Sequence, residues 1–423
     1  MTCASRVRLA AAAAALFREA QAICDRDGGR FWGVDLCGPM LIVDPEDRSA
    51  IANQPDPGGV LTPSGGFYTG VLPPEVIVAN TPIEWSGTRW TELMWPLRPK
   101  AGAVADAALT QVTLAHELFH RVQPGLGLSR PDIPCQHLDT LQGRYLLQLE
   151  WRALAKALQA KSPAARRAAI ADAVLFRAER YRRFPEAAAD EAALEIAEGI
   201  PEYTGVRLGL ETSQARVDYA LRDLSAFVDA PTFVRSFAYA TGPAYGLLLD
   251  QADPEWRKKL NSGKRLDELL STALQLPAPG LARLTAREAA YDDGTLYAQE
   301  VKREAARQAR LAALTAKLVD GPVVVLTLHK ANYQFNPQTL VALGEYGTVY
   351  PTMRVVSDWG ILEVEDGALL DKEAKTVRVS AAGLDPSGLK GPGWRLELKP
   401  GWVVSPGARK GDWTVTQTDG ARR

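Results

Sequence analysis

The spacing of apolar and polar positions divides the chain into three stretches. From about residue 30 to 97, apolar residues fall in short runs or alternate with polar ones, the period of a strand. The runs are Phe31 to Leu36, Met40 to Val43, Phe67 to Leu72, Val76 to Ala79 and Thr88 to Trp95. Gly, Pro, Asn and Asp separate them, as turns require, and the pattern predicts a twisted antiparallel sheet. From about 101 to 318, Leu, Glu, Arg and abundant Ala recur at helical spacing. This predicts helices over 107–123, 138–159, 164–182, 187–205, 213–227, 230–251, 264–273 and 293–318. Ser162-Pro163 reads as an N-cap followed by proline in the first turn. Pro201 bends or interrupts its helix, because proline lacks a donor and crowds the carbonyl four residues back. Strand periods return beyond Asp320-Gly321, over Val323 to Leu328, Thr348 to Val356, Gly360 to Val364, Thr376 to Val379, Trp394 to Leu398 and Trp413 to Thr416. The reading is an α+β chain. An N-terminal helix and antiparallel β region covers 1–100, a mostly helical domain covers 101–318, and a small C-terminal β domain covers 319–423.

Composition narrows the function classes. The chain has 423 residues, 46% of them apolar, which is ample for a sizeable core. Its 49 basic and 50 acidic residues nearly cancel, so nothing global points to a nucleic-acid or anionic-membrane partner. No segment has the apolar length of a membrane span. Arg6 and Arg8 before the apolar run Leu9 to Phe17, with Ala20-Gln21-Ala22 beyond it, fit a short signal segment. They fit an ordinary helix over about 8–24 equally well, since the alanines from Ala10 to Ala15 are strong helix formers. A cytoplasmic and an exported location both stay open. Four cysteines occur without a CxxC pair, which argues against a thiolate zinc knuckle or a redox dithiol. Cys24 and Cys37 read either as one disulfide or as isolated buried thiols.

The strongest chemical signal is His116-Glu117-Leu118-Phe119-His120. Residues four apart share a helix face, so both imidazoles can bind one Zn²⁺ with Glu117 beside them as general base. Leu114, Leu118 and Val122 supply an apolar stripe, and neither Gly nor Pro falls between Ala107 and Gln123. Zinc requires a further protein ligand and an open position for water. His137 and His329 lie in a loop and in the C-terminal domain, so a carboxylate is the better donor. Glu191, Glu195, Glu198 and Glu202 follow at spacings of four, three and four, which predicts all of them on one helical face. Such a face calls for a metal and for basic partners.

These two segments resemble the gluzincin zinc metallopeptidases, the thermolysin-like and aminopeptidase clans. Those join His-Glu-x-x-His to a downstream glutamate on a second helix. The first segment is also similar to bacterial proteins with a His-Glu-Leu-Phe-His-Arg motif. The match covers about residues 110 to 205, and the 77 residues between His120 and Glu198 exceed the usual gap. The resemblance implies a zincin-like central domain holding one zinc ion through His116, His120 and Glu198. It implies Glu202 as the carboxylate that orients a ligand histidine, and Glu195 supports the site or substitutes for Glu198 if the register slips. Glu150 is a further alternative, with an ion pair on a neighbouring helix as its plainer role. The implied activity is hydrolysis of a peptide or protein substrate, with Glu117 as general base. A tyrosine commonly supplies a second oxyanion donor in such sites, and Tyr239 and Tyr245 are the candidates, Tyr245 preferred, with Tyr203 beside the proposed ligand a further one. The strand ahead of the metal helix would line the cleft through Trp90, Glu92 and Met94 and pair with extended substrate. The competing class is a non-catalytic zinc-containing binding or scaffold protein.

Overall fold

The computed structural model describes residues 3–97, 107–131, 134–336, 339–385, 387 and 389–418, with side chains from residue 8 onward. The Arg6 side chain and the boundary read at residue 100 lie outside the described residues. The chain is α+β and divides into two compact units, one of residues 1–138 and 142–296, the other of 139–141 and 297–423. The N-terminal β region and the helices thus share the first unit, where the sequence reading separates them. The reason is a single core. Met40, Ile42 and Leu93 from the sheet join Leu16, Leu118, Phe119, Leu146, Tyr203 and Leu248 from the helices in one buried cluster.

The first unit opens with helix α1 (Cys3–Asp27), followed by strands β1 (Met40–Val43), β2 (Ser49–Ala52), β3 (Thr62–Ser64), β4 (Phe67–Val71), β5 (Thr81–Trp85) and β6 (Thr88–Met94). Their sheet has the order β3-β4-β2-β1-β6-β5. Neighbours run antiparallel except β1 and β6, which are parallel. Of the expected strands, 31–36 and 76–79 pair with nothing in the sheet. The first of these runs is apolar because it packs on helices, as Trp32 does on Phe119 with ring centroids 4.8 Å apart. Burial without pairing looks like a strand in sequence.

Helices α2 (Ala107–Val122), α3 (Leu141–Gln159), α4 (Pro163–Arg183), α5 (Ala187–Leu194), α6 (Ile200–Gly209), α7 (Ser213–Ala226), α8 (Phe237–Ala252), α9 (Leu266–Ala273) and α10 (Leu284–Glu288) complete the unit. The Ser162 hydroxyl accepts from Ala165 N at the start of α4, the cap its sequence announces. Helix α2 is buried on every side from Val112 to Phe119, so each polar group in that stretch needs a partner. Helix α6 lies directly against it. A Cβ on Gly205 would stand 2.5 Å from Val112 O, and one on Gly209 would stand 2.7 Å from Gln111 O. Only glycine allows two backbones that close. The contact brings Glu202, three residues before Gly205, level with His116, four residues after Val112.

Helix α11 (Thr295–Thr315) begins in the first unit and belongs mostly to the second. The described residues beyond it form two sheets. The larger runs, in spatial order, Trp402–Pro406, Trp413–Gln417, Val323–Thr327, Thr376–Ser380, Ala368–Leu370, Thr348–Tyr350 and Val341–Ala342. The smaller runs Lys390–Gly391, Trp394–Leu398, Gly360–Val364, Met353–Ser357 and Asn332–Phe335. Among the described residues, no helix is long and apolar enough to cross a membrane.

Candidate metal centre

One turn of α2 separates His116 from His120, and their rings meet with centroids 4.6 Å apart. Their Nε2 atoms are 2.9 Å apart. Glu198 Oε2 lies 3.6 Å from the first and 3.5 Å from the second. The opposite ring nitrogens are engaged as well. His116 Nδ1 lies 2.8 Å from Glu202 Oε2, and His120 Nδ1 lies 2.8 Å from Gln123 Oε1. Both partners are acceptors there, because Gln123 Nε2 donates to Ile196 O at 2.8 Å. With an acceptor oxygen 2.8 Å from each Nδ1, the arrangement favours the tautomer that offers the Nε2 lone pair inward. Three lone pairs converge with no proton of their own between them. A proton could bridge the two nitrogens, whereas a cation relieves all three contacts. Donors about 2.1 Å from a tetrahedral ion stand about 3.4 Å from one another, so the two contacts of Glu198 match and the imidazole pair is tighter.

Glu198 reaches the histidines because its helix is not a regular one. Residues Glu195–Gly199 form a π-helical turn, closed by Ile200 N–H donating to Glu195 O. The next nitrogen in that pattern belongs to Pro201, which has no hydrogen to give to Ile196 O. Gln123 supplies the missing donor and uses its other amide atom to fix His120. The extra residue in the turn also rotates everything after it relative to everything before. Glu198 and Glu202 face the histidines, while Glu191 and Glu195 face the arginines of α4. Arg180 donates to Glu191 at 2.7 and 2.6 Å. Arg177 donates to Glu195 at 3.1 and 2.6 Å. The four carboxylates expected on one face are thus two pairs in two places, and Glu195 is not a partner of the histidines.

Charge and hydrogen bonding around Glu198 come from α8 and the turn before it. Arg235 Nη2 donates to Glu198 Oε1 at 2.6 Å, and the Tyr239 hydroxyl donates to Oε2 at 2.8 Å. The Tyr239 ring lies parallel to His116, with centroids 5.8 Å apart and 13° between planes. Burial, and then the Glu198 charge, push the Tyr239 hydroxyl well up, so it stays a proton donor. Glu117 is buried, with Oε1 4.0 Å from His116 Nε2.

Other residues singled out in the sequence lie elsewhere. The Tyr245 hydroxyl donates to Glu150 Oε1 at 2.8 Å, and its ring lies under Arg177 with Cζ 4.4 Å from the centroid. Tyr245 therefore belongs to the buried ion network of α3 and α4, and Tyr239, earlier on α8, stands at the histidines. Glu150 is ion-paired with Arg177 at 2.8 Å and Arg180 at 2.7 Å. His137 bonds to Glu191 at 2.7 Å. Trp90, Glu92 and Met94 point to the sheet face away from the helices. Glu92 is in register with Leu41, whose cluster with Val43 and Trp90 is a separate small core. Burial pushes the Glu92 carboxyl well up. Strand β6 also lies between β1 and β5, so its backbone has no free edge for substrate. A second close group, Cys24, Asp35 and Cys37, has its two sulfurs joined in a disulfide.

Gln123, Arg235 and Tyr239 are the partners that sequence reading passed over or ranked second. The spacing of Gln123, three residues after His120, was the one available signal. No protein-family model, curated protein or solved structure matches the chain.

Proposed function

We propose that the chain is a zinc-dependent metallohydrolase of the gluzincin type that cleaves a peptide or amide bond. The observation that supports this is the convergence of lone pairs from His116 Nε2, His120 Nε2 and Glu198 Oε2, with the Glu117 carboxylate beside them. Those three side chains would hold the ion. Zinc bound there supplies a Lewis acid and lowers the pKa of a bound water. Glu117 accepts the proton of the attacking water and passes it to the leaving nitrogen. Tyr239 donates a hydrogen bond to the oxyanion that develops on the attacked carbonyl. Arg235 occupies the outer oxygen of Glu198, so a single oxygen faces the imidazoles. Glu202 and Gln123 keep both imidazoles in the tautomer that presents Nε2.

Metal analysis of wild type, Glu117→Gln and Glu198→Ala, coupled to cleavage of a broad peptide library, tests the reading. Wild type is expected to hold a single zinc ion. Glu117→Gln should keep it while turnover falls by about 100-fold or more, and Glu198→Ala should lose metal and activity together. Wild type without zinc refutes the proposal. Zinc with no turnover of any peptide assigns the chain to the non-catalytic class.

A further inference from the structure

We propose that the Cys24–Cys37 disulfide is a redox-controlled clasp on the metal centre, an inference that rests on the zinc reading. The bridge joins residues 13 apart, with Cα atoms 6.0 Å from each other, and closes the segment 25–36 into a strap between α1 and β1. One end is firm, because Leu16, Ala20 and Ile23 of α1 are buried in the main core. The strap then crosses both helices that carry the site.

Its contacts on α2 bracket His120. Trp32 packs on Phe119 at 4.8 Å. Arg121 Nη2 donates to Leu36 O at 2.9 Å and to Cys37 O at 2.6 Å. A Cβ on Gly38 would stand 2.5 Å from Arg121 Cζ, so the guanidinium lies flush against the chain beside the bridge. Its contacts on α6 follow Glu202 directly. The Phe31 ring faces Tyr203 at 5.8 Å, and Trp32 Nε1 donates to Thr204 Oγ1 at 3.1 Å. Residues 31–36 join no strand, so the bridge and these side chains hold the strap in place.

Opening the bridge takes two electrons and two protons. A dithiol reductant supplies both and ends as its own disulfide, leaving thiols at Cys24 and Cys37. Cys37 is the partly exposed member of the bridge, whereas Cys135 is buried and takes no part. Release of the strap loosens Phe119, Arg121 and Thr204, and with them the spacing of α2 and α6 on which the convergence of His116, His120 and the Glu198 turn depends. The clasped form therefore binds zinc tightly and the reduced form weakly.

The test is zinc affinity of the full chain by competition with a chromophoric chelator, before and after reduction. A water-soluble phosphine is the reductant; it becomes the phosphine oxide, with water supplying the oxygen and the protons, and adds no thiol to compete for metal. Reduction, verified as a gain of two titratable thiols, should weaken zinc binding about tenfold or more. The Cys24→Ser/Cys37→Ser chain should show that weakened value with and without phosphine. It also lacks the two thiolates that, with Asp35, could capture zinc themselves. A serine variant that binds zinc as tightly as the oxidised wild type overturns the clasp. Absence of zinc from both redox forms would instead sink the metal reading beneath it.

Discussion

Replacing Gly205 with alanine perturbs the metal centre without touching a polar atom. The new Cβ would stand 2.5 Å from Val112 O, 2.9 Å from its Cγ1 and 3.2 Å from its carbonyl carbon. The first of these is about 0.9 Å short of ordinary contact, and the obstacle is backbone on a buried helix. The two helices must therefore part. Overpacking of this kind costs roughly 1–3 kcal/mol. Against it stands a gain of about 1 kcal/mol for alanine over glycine inside a helix. The net loss of folding stability is thus about 0–2 kcal/mol. Zinc binding should suffer more than folding, because the displacement acts on the 2.8 Å approach of Glu202 Oε2 to His116 Nδ1. Loss of an orienting partner of this kind weakens metal binding by roughly 10–100-fold. Gly209→Ala is the control. Its Cβ would meet Gln111 O at 2.7 Å, but a further turn from Glu202, so stability should fall with a smaller effect on zinc. Chelator competition measures affinity, and thermal melts of the metal-free chains measure stability. A Gly205→Ala chain that binds zinc and melts like wild type would refute the argument that helix spacing sets the site.

The two tyrosines of α8 should separate cleanly. Tyr239→Phe is expected to lower kcat by about 100-fold or more while keeping zinc, and Tyr245→Phe to leave kcat alone while costing about 1–2 kcal/mol in urea unfolding, since it strips a buried hydrogen bond from Glu150; the reverse result would return Tyr245 to the site. Gln123→Met should weaken zinc binding by roughly 10–100-fold, because it frees His120 Nδ1 and leaves Ile196 O without its donor; chelator competition reads the change. Acid stability should depend on Glu191. Burial acts to raise its carboxyl, but Arg180 and then His137 hold it far below the ordinary value of 4.5. A depressed folded value contributes stability above the ordinary carboxylate range that is lost as pH falls below it. Glu191→Gln should therefore flatten the pH dependence of urea unfolding below about pH 4.5, and an unchanged slope would show that the pair contributes nothing.

What sequence reveals here follows the range of the interactions involved. The helix of His116 and His120 is written in local spacing, and its limits fall within a residue of those expected from the pattern. The carboxylates were harder, because their placement depends on one irregular turn. Pro201 signalled an interruption, but sequence does not say whether the chain kinks, breaks or widens there. Tyr239 and Tyr245 lie about 120° apart around α8, and the local sequence does not say which of those two directions meets the histidines. What separates them is the rotation of α8 against Gly199, where the close approach of Gly242 leaves no room for a side chain. Strand β6 was found, but not its neighbours. Pairing with β1 in parallel is a contact across some 50 residues of chain, and nothing within the strand announces it.

The widened turn also explains how two buried acidic clusters can sit side by side without interfering. Glu191 and Glu195 need arginines, because a buried carboxylate without a cation is costly. Arg177 and Arg180 meet that need from one side of the helix. Had the helix run on regularly, Glu198 and Glu202 would have faced the same guanidiniums, and the imidazoles would have lacked both a third donor and an orienting carboxylate. The π-turn gives each pair its own surroundings: the guanidiniums of Arg177 and Arg180 for the first, and for the second the two imidazoles, with Arg235 paired to Glu198. Pro201 keeps this turn open by withholding the hydrogen that would otherwise go to Ile196 O. Gln123 then converts the resulting free carbonyl into a link between the turn of Glu198 and the ring of His120. A backbone irregularity, a proline and one amide side chain thereby tie two separate helices to a single point.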